Sequence, residues 1–148
     1  MELSLLVHIL GASILVGGLI TAFTLQVVGW SRETPAGASQ LARLGFFALL
    51  CLALPGWILM RAGAEWVWTE AGWDDVESEP TWLGIGWITG DLGGLFILVS
   101  VILAGVGARR LRRSEGTTST LVRIATVLTA IALIAYVVTV WAMSGKPD

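Results

Sequence analysis

Charge is what this sequence has least of. Only 14% of its 148 residues are Asp, Glu, Lys or Arg, while 55% are hydrophobic and the mean hydropathy is +0.81. A water-soluble domain of this length cannot carry that balance. There is one cysteine, Cys51, so no intrachain disulfide can form and redox compartment cannot be read from cysteine use. There is one histidine, His8, and three methionines, which leaves little material for a many-ligand metal site. No nucleophile triad, phosphate-cradling loop or dinucleotide motif occurs, so an ordinary hydrolase or kinase is disfavoured, and nothing marks a nucleic-acid partner.

Four long apolar segments are present instead. A membrane-spanning helix needs about 20 mostly apolar residues. Residues 3–30, 41–61, 87–108 and 119–143 each meet that length, with polar connectors between them. The expected fold is all-α, a four-transmembrane-helix bundle forming a single membrane domain over residues 1–148. Glu2 is followed at once by the first apolar run, without the basic n-region and cleavage site of a signal peptide, which reads as a retained first helix. Pro55-Gly56 predicts a kink in the outer half of the second span. Residues 62–82 read as the longest connector, acidic and rich in tryptophan: Glu65, Glu70, Asp74, Asp75, Glu77 and Glu79 alternate with Trp66, Trp68, Trp73 and Trp82.

The charges are sorted by connector. Arg32 and Arg43 flank the first, Arg109, Arg110, Arg112 and Arg113 open the third, and Arg123 lies just inside the last span. The positive-inside rule places these on the cytoplasmic side. Both termini and the acidic connector then face outward, an N-out/C-out arrangement in a plasma membrane, bacterial by the general character of the chain. Trp57, Trp66, Trp68, Trp82, Trp87 and Trp141 gather at the outer interface as an aromatic belt, with Trp30 inside. The arginine run could also grip anionic lipid headgroups.

Ionisable groups at membrane depth are costly, so each is a functional candidate. They are His8, Asp91 and Arg61. His8 lies roughly 7 Å below the outer boundary at 1.5 Å per residue, and Asp91, four residues beyond Trp87, reaches a similar depth. An imidazole there could ligate heme iron or copper, with Asp91 orienting it or relaying protons. Alternatively, Arg61 pairs with Asp91 and His8 bonds within the bundle, fixing register alone. Gly11, Gly17 and Gly18, and Gly86, Gly90, Gly93 and Gly94, allow close helix approach, or leave space for a planar ligand beside Asp91. Asp74, Asp75, Glu77 and Glu79 depart from the calcium-loop order and read as a solvated face.

The segment Leu6-Val7-His8-Ile9-Leu10-Gly11-Ala12, followed by Val16-Gly17-Gly18, resembles the opening helix of the small four-helix DUF2269 membrane proteins. The ending Ala142-Met143-Ser144-Gly145-Lys146-Pro147 is similar to their Met-x-x-Lys-Pro finish. That group in turn looks related to the copper-resistance D and HemJ-like membrane proteins. The resemblance implies a first-helix histidine acting as a heme or metal ligand, carried here by His8. The lysine those relatives have in a later helix has no counterpart in the third span, where Thr89 and Asp91 stand nearby.

Three functions follow as expectations. The first is a heme- or copper-binding redox module without enzymatic activity of its own, with heme b or copper as cofactor. The second is a non-catalytic accessory subunit of a larger membrane complex. The third is a small proton-coupled transporter acting as a homo-oligomer.

Overall fold

Every regular element of the computed structural model is helical, and the four apolar segments fold as four helices long and apolar enough to cross a membrane. The structure describes residues 2–72, 81–113, 116–117 and 119–145. Helix α1 is Glu2–Trp30. The second span runs Pro35–Ala71 and consists of α2 (Pro35–Ala48), a π-helical turn (Leu49–Ala53) and α3 (Leu54–Ala71). The last two spans are α4 (Thr81–Arg113) and α5 (Thr120–Gly145). The chain is thus an all-α four-helix membrane bundle.

The second span is longer at both ends than hydropathy predicts. It begins at Pro35 because Thr34 caps it, its Oγ1 accepting from the Gly37 N–H at 3.3 Å while Pro35 fills the first turn. It continues ten residues beyond Arg61 to Ala71 and stops at Gly72, whose φ of 68° is left-handed. Residues 62–71, assigned to the connector from sequence, are therefore helix, and α4 starts at Thr81 rather than near Trp87. Polar residues in these extensions lowered the hydropathy without lowering helix propensity, since Glu and Ala are good helix formers.

Pro55 is accommodated by the π turn immediately before it, where the Leu54 N–H reaches back five residues to the Leu49 carbonyl. A proline in a helix deprives a carbonyl of its donor, and a wider turn next to it reconciles the spacing. Along the second span the buried positions Ala42, Leu49, Gly56 and Gly63 repeat at seven through the turn.

That pattern meets a matching one on α1. Ser4, Gly11 and Gly18, with Leu15, Ala22 and Gly29, are buried at seven-residue intervals. A period near 3.5 gives two helices a continuous seam. Small residues bring the backbones close: a Cβ added to Gly11 would lie 2.2 Å from the Met60 nitrogen, and one added to Gly56 would lie 2.5 Å from the Leu15 nitrogen. Gly17, by contrast, faces open space.

Around the bundle, α1 packs on the second span and on α5, while α4 packs on α5 and on the second span. Helices α1 and α4 lie across the diagonal. Thr126, Thr129 and Thr139 each donate to the carbonyl four residues back, so their hydroxyls are satisfied within their own helix. The large side chains left outside are apolar, including Ile9, Ile58, Ile102 and Ile134, which suits a surface solvated by lipid.

Candidate functional site

The end of the bundle at which α1 starts and α5 ends holds all three ionisable residues singled out from sequence, but they form two constellations with the second span between them. On the α1 side, the His8 Nδ1–H donates to the Met60 carbonyl at 2.9 Å. A carbonyl can only accept, so the bond requires a proton on Nδ1 and leaves Nε2 outside it. Gly63 makes this approach feasible, since a Cβ there would stand 2.5 Å from the His8 nitrogen. One turn further out, the Ser4 hydroxyl donates to Glu70 at 2.7 Å, extending the seam along the part of α3 that hydropathy missed.

On the α4 side, Arg61 is held from three directions. Its Nε donates to Asp91 Oδ1 at 3.2 Å, its Nη1 lies 2.9 Å from Glu65 Oε1, and its guanidinium sits 4.0 Å from the Trp87 ring centre. Trp68 meets Trp87 edge-on at 5.3 Å. Trp57 closes the layer from below, donating from Nε1 to the Gly90 carbonyl at 2.8 Å. Its ring occupies the space that a Cβ on Gly94 would need, and Tyr136 does the same at Gly93. The space at Gly93 and Gly94 is therefore filled by the protein's own aromatic rings, whereas at Gly90, beside Asp91, an added Cβ would meet only the Arg61 Cδ at 3.8 Å.

Asp91 spends its hydrogen bond on Arg61 and is 66% exposed. The group that orients His8 is the Met60 carbonyl, a backbone atom that side-chain pattern cannot reveal. Glu65 was legible in principle, because it stands four residues after Arg61, the spacing of an intrahelical ion pair. It was missed because the helix was ended at Arg61. Trp57 and Tyr136 carried no sequence signal beyond being aromatic.

Among the described residues, no group of three or more His, Cys, Asp or Glu side chains could hold a metal ion. Asp74, Asp75, Glu77 and Glu79, and the Lys146-Pro147 ending, lie outside the described residues. Cys51 is exposed on the π turn, well below His8 along the seam. Deeper in the bundle, the Tyr136 hydroxyl, the Ser100 hydroxyl and both amide atoms of Gln26 are buried without hydrogen-bond partners.

No protein-family model, curated protein or solved structure matches the chain. The site must be judged on its geometry.

Proposed function

We propose that the chain is a multi-pass plasma-membrane protein serving as a heme-binding redox module, in which His8 Nε2 would hold the heme iron at the outer end of the bundle. The observation that carries this reading is the Nδ1 bond to the Met60 carbonyl. Metal-ligating histidines characteristically donate their other ring N–H to a carbonyl or carboxylate, which fixes the tautomer and raises the basicity of the ligating nitrogen. His8 has that arrangement, is half-buried, and has Nε2 uncommitted.

The donor set favours heme over copper. A protein-bound copper ion is held by several side-chain ligands, and the described residues bring no such cluster together. A b-type heme can be held by one imidazole and would supply one-electron chemistry when bound. The chain's own residues hold the ligand in place: Met60 orients the ring, and Gly63 lets α1 and α3 approach closely enough for the bond to form. The Arg61–Asp91 pair ties α3 to α4, and Glu65, one turn along α3, holds the Arg61 guanidinium in place. The likeness of the first helix to DUF2269 and HemJ-like proteins supports the same assignment.

Detergent-purified protein made with ample heme supply should show a Soret band, with α and β bands on dithionite reduction. His8→Ala should abolish them and Cys51→Ser should leave them intact. A featureless spectrum from the unmodified protein overturns the reading.

One observation favours a second reading, a non-catalytic accessory subunit of a larger membrane complex. A cavity of about 350 Å³, which the heme reading leaves unused, lies at the opposite end of the bundle from His8. Purification in mild detergent would then bring down stoichiometric partners, whereas the heme reading requires none.

A further inference from the structure

At the basic end, α2 and α4 diverge around a cavity of about 350 Å³ that is independent of His8. Its walls are two helical faces. From α2 come Ser39, Arg43 and Phe46, spaced three to four residues apart, and from α4 come Gly105, Arg109 and Arg112 with the same spacing. The space exists because Gly105 and Ala108 put almost no side chain into it, and the Phe46 ring rests on Gly105, where an added Cβ would approach it to 2.9 Å.

The cavity is graded in polarity. Because α2 starts and α4 ends at this face of the bundle, Ser39 and Arg112 sit at its mouth, Arg43 and Arg109 at mid-height, and Phe46, Phe47 and Gly105 toward the bilayer. The Arg43 guanidinium lies 5.4 Å from the Phe47 ring centre, at the border between the two zones. Among the described residues, Arg43, Arg109 and Arg112 form no ion pair, whereas Arg61 at the other end is paired twice.

From this we infer that the cavity binds one anionic phospholipid of the inner leaflet. Arg43, Arg109 and Arg112 hold its phosphate, and an acyl chain lies along Phe46, Phe47 and Gly105. Three unpaired guanidiniums converging from two helices match a phosphate that accepts several charge-assisted hydrogen bonds. The apolar half of the cavity is what selects a lipid over a free anion. Basic pockets between membrane helices on the positive side of the bilayer are suited to such headgroups. The arginine run has a second pair, Arg110 and Arg113, that lies outside the cavity and carries the same charge.

That division supplies the test. The full chain in nanodiscs containing both phosphatidylcholine and phosphatidylglycerol is examined by native mass spectrometry for retained lipid. Phosphatidylglycerol should be retained preferentially, and excess inorganic phosphate should not displace it. Arg43→Gln/Arg112→Gln should weaken retention about 30-fold, as expected for two guanidiniums near the surface, while Arg110→Gln/Arg113→Gln changes it less than about threefold. Equal retention of the two lipids by the unmodified protein overturns the inference. So does equal weakening by both arginine pairs, which would mean diffuse attraction to the membrane, and so does displacement by phosphate, which would mean a free-anion site.

Discussion

The two ends of this bundle use arginine in opposite ways. At the end where α1 starts, Arg61 is engaged by two carboxylates and the Trp87 ring, and Trp57 and Tyr136 fill the space at Gly94 and Gly93. At the basic end Arg43, Arg109 and Arg112 line a cavity with no acidic partner among the described residues. A charge whose partners lie within the chain contributes to holding helices in register. Unpaired charges beside empty space remain available for a partner from outside. The contrast separates an α3–α4 contact whose charges are used within the chain from an α2–α4 cavity whose charges are not.

Several substitutions would break or sharpen that contrast. The largest effect should come from the Arg61 end. Gly63→Leu forces a side chain into the His8 backbone and should cost about 3 kcal/mol in reversible unfolding by denaturing detergent, the upper range for overpacking. If the protein tolerated it, α1 and α3 would not be closely packed there. Arg61→Met should be next, at about 1 kcal/mol in the same assay, because Asp91 and Glu65 are more than half exposed and solvent screening limits the pair. A cost near zero would erase the distinction between Arg61 and its counterparts at the other end.

Arg43→Gln/Arg112→Gln should shift stability by less than about 0.5 kcal/mol, the usual range for surface changes, even as it releases lipid. A large loss of stability would make these arginines structural after all. The smallest effect should be that of salt. Raising ionic strength from low to physiological levels should reduce phosphatidylglycerol retention at the exposed arginines and should also shrink the cost of Arg61→Met, since Asp91 and Glu65 are more than half exposed.

Much of this was legible in the sequence, and the limits are specific. Hydropathy located the four spans because membrane insertion is decided within about 20 consecutive residues. Counting along each helix put His8, Arg61 and Asp91 at one end of the bundle, where the structure has them. Helix ends did not follow, because Glu65 and Glu70 lower hydropathy but suit a helix. Pro55 was expected to disturb the second span, and the structure has a π turn immediately before it, where α1 presents Leu15 and Gly18.

The Arg61–Asp91 pair and a bond from His8 within the bundle were together one of the readings the sequence offered, and both are present; the other partners were decided by tertiary structure. His8 is tied to a carbonyl that any residue at position 60 would offer, so no side-chain pattern could reveal it. Arg43 is brought beside Arg109 and Arg112 because α2 packs on α4, although the intervening chain crosses the bilayer twice. The sequence by itself determined that this chain forms four helices long and apolar enough to cross a membrane, and which few charges those helices carry, since each of those is set by local composition. The tertiary structure decided which of those charges are paired and which face a cavity, because pairing depends on how glycine and alanine seams set the distances between helices far apart in the chain.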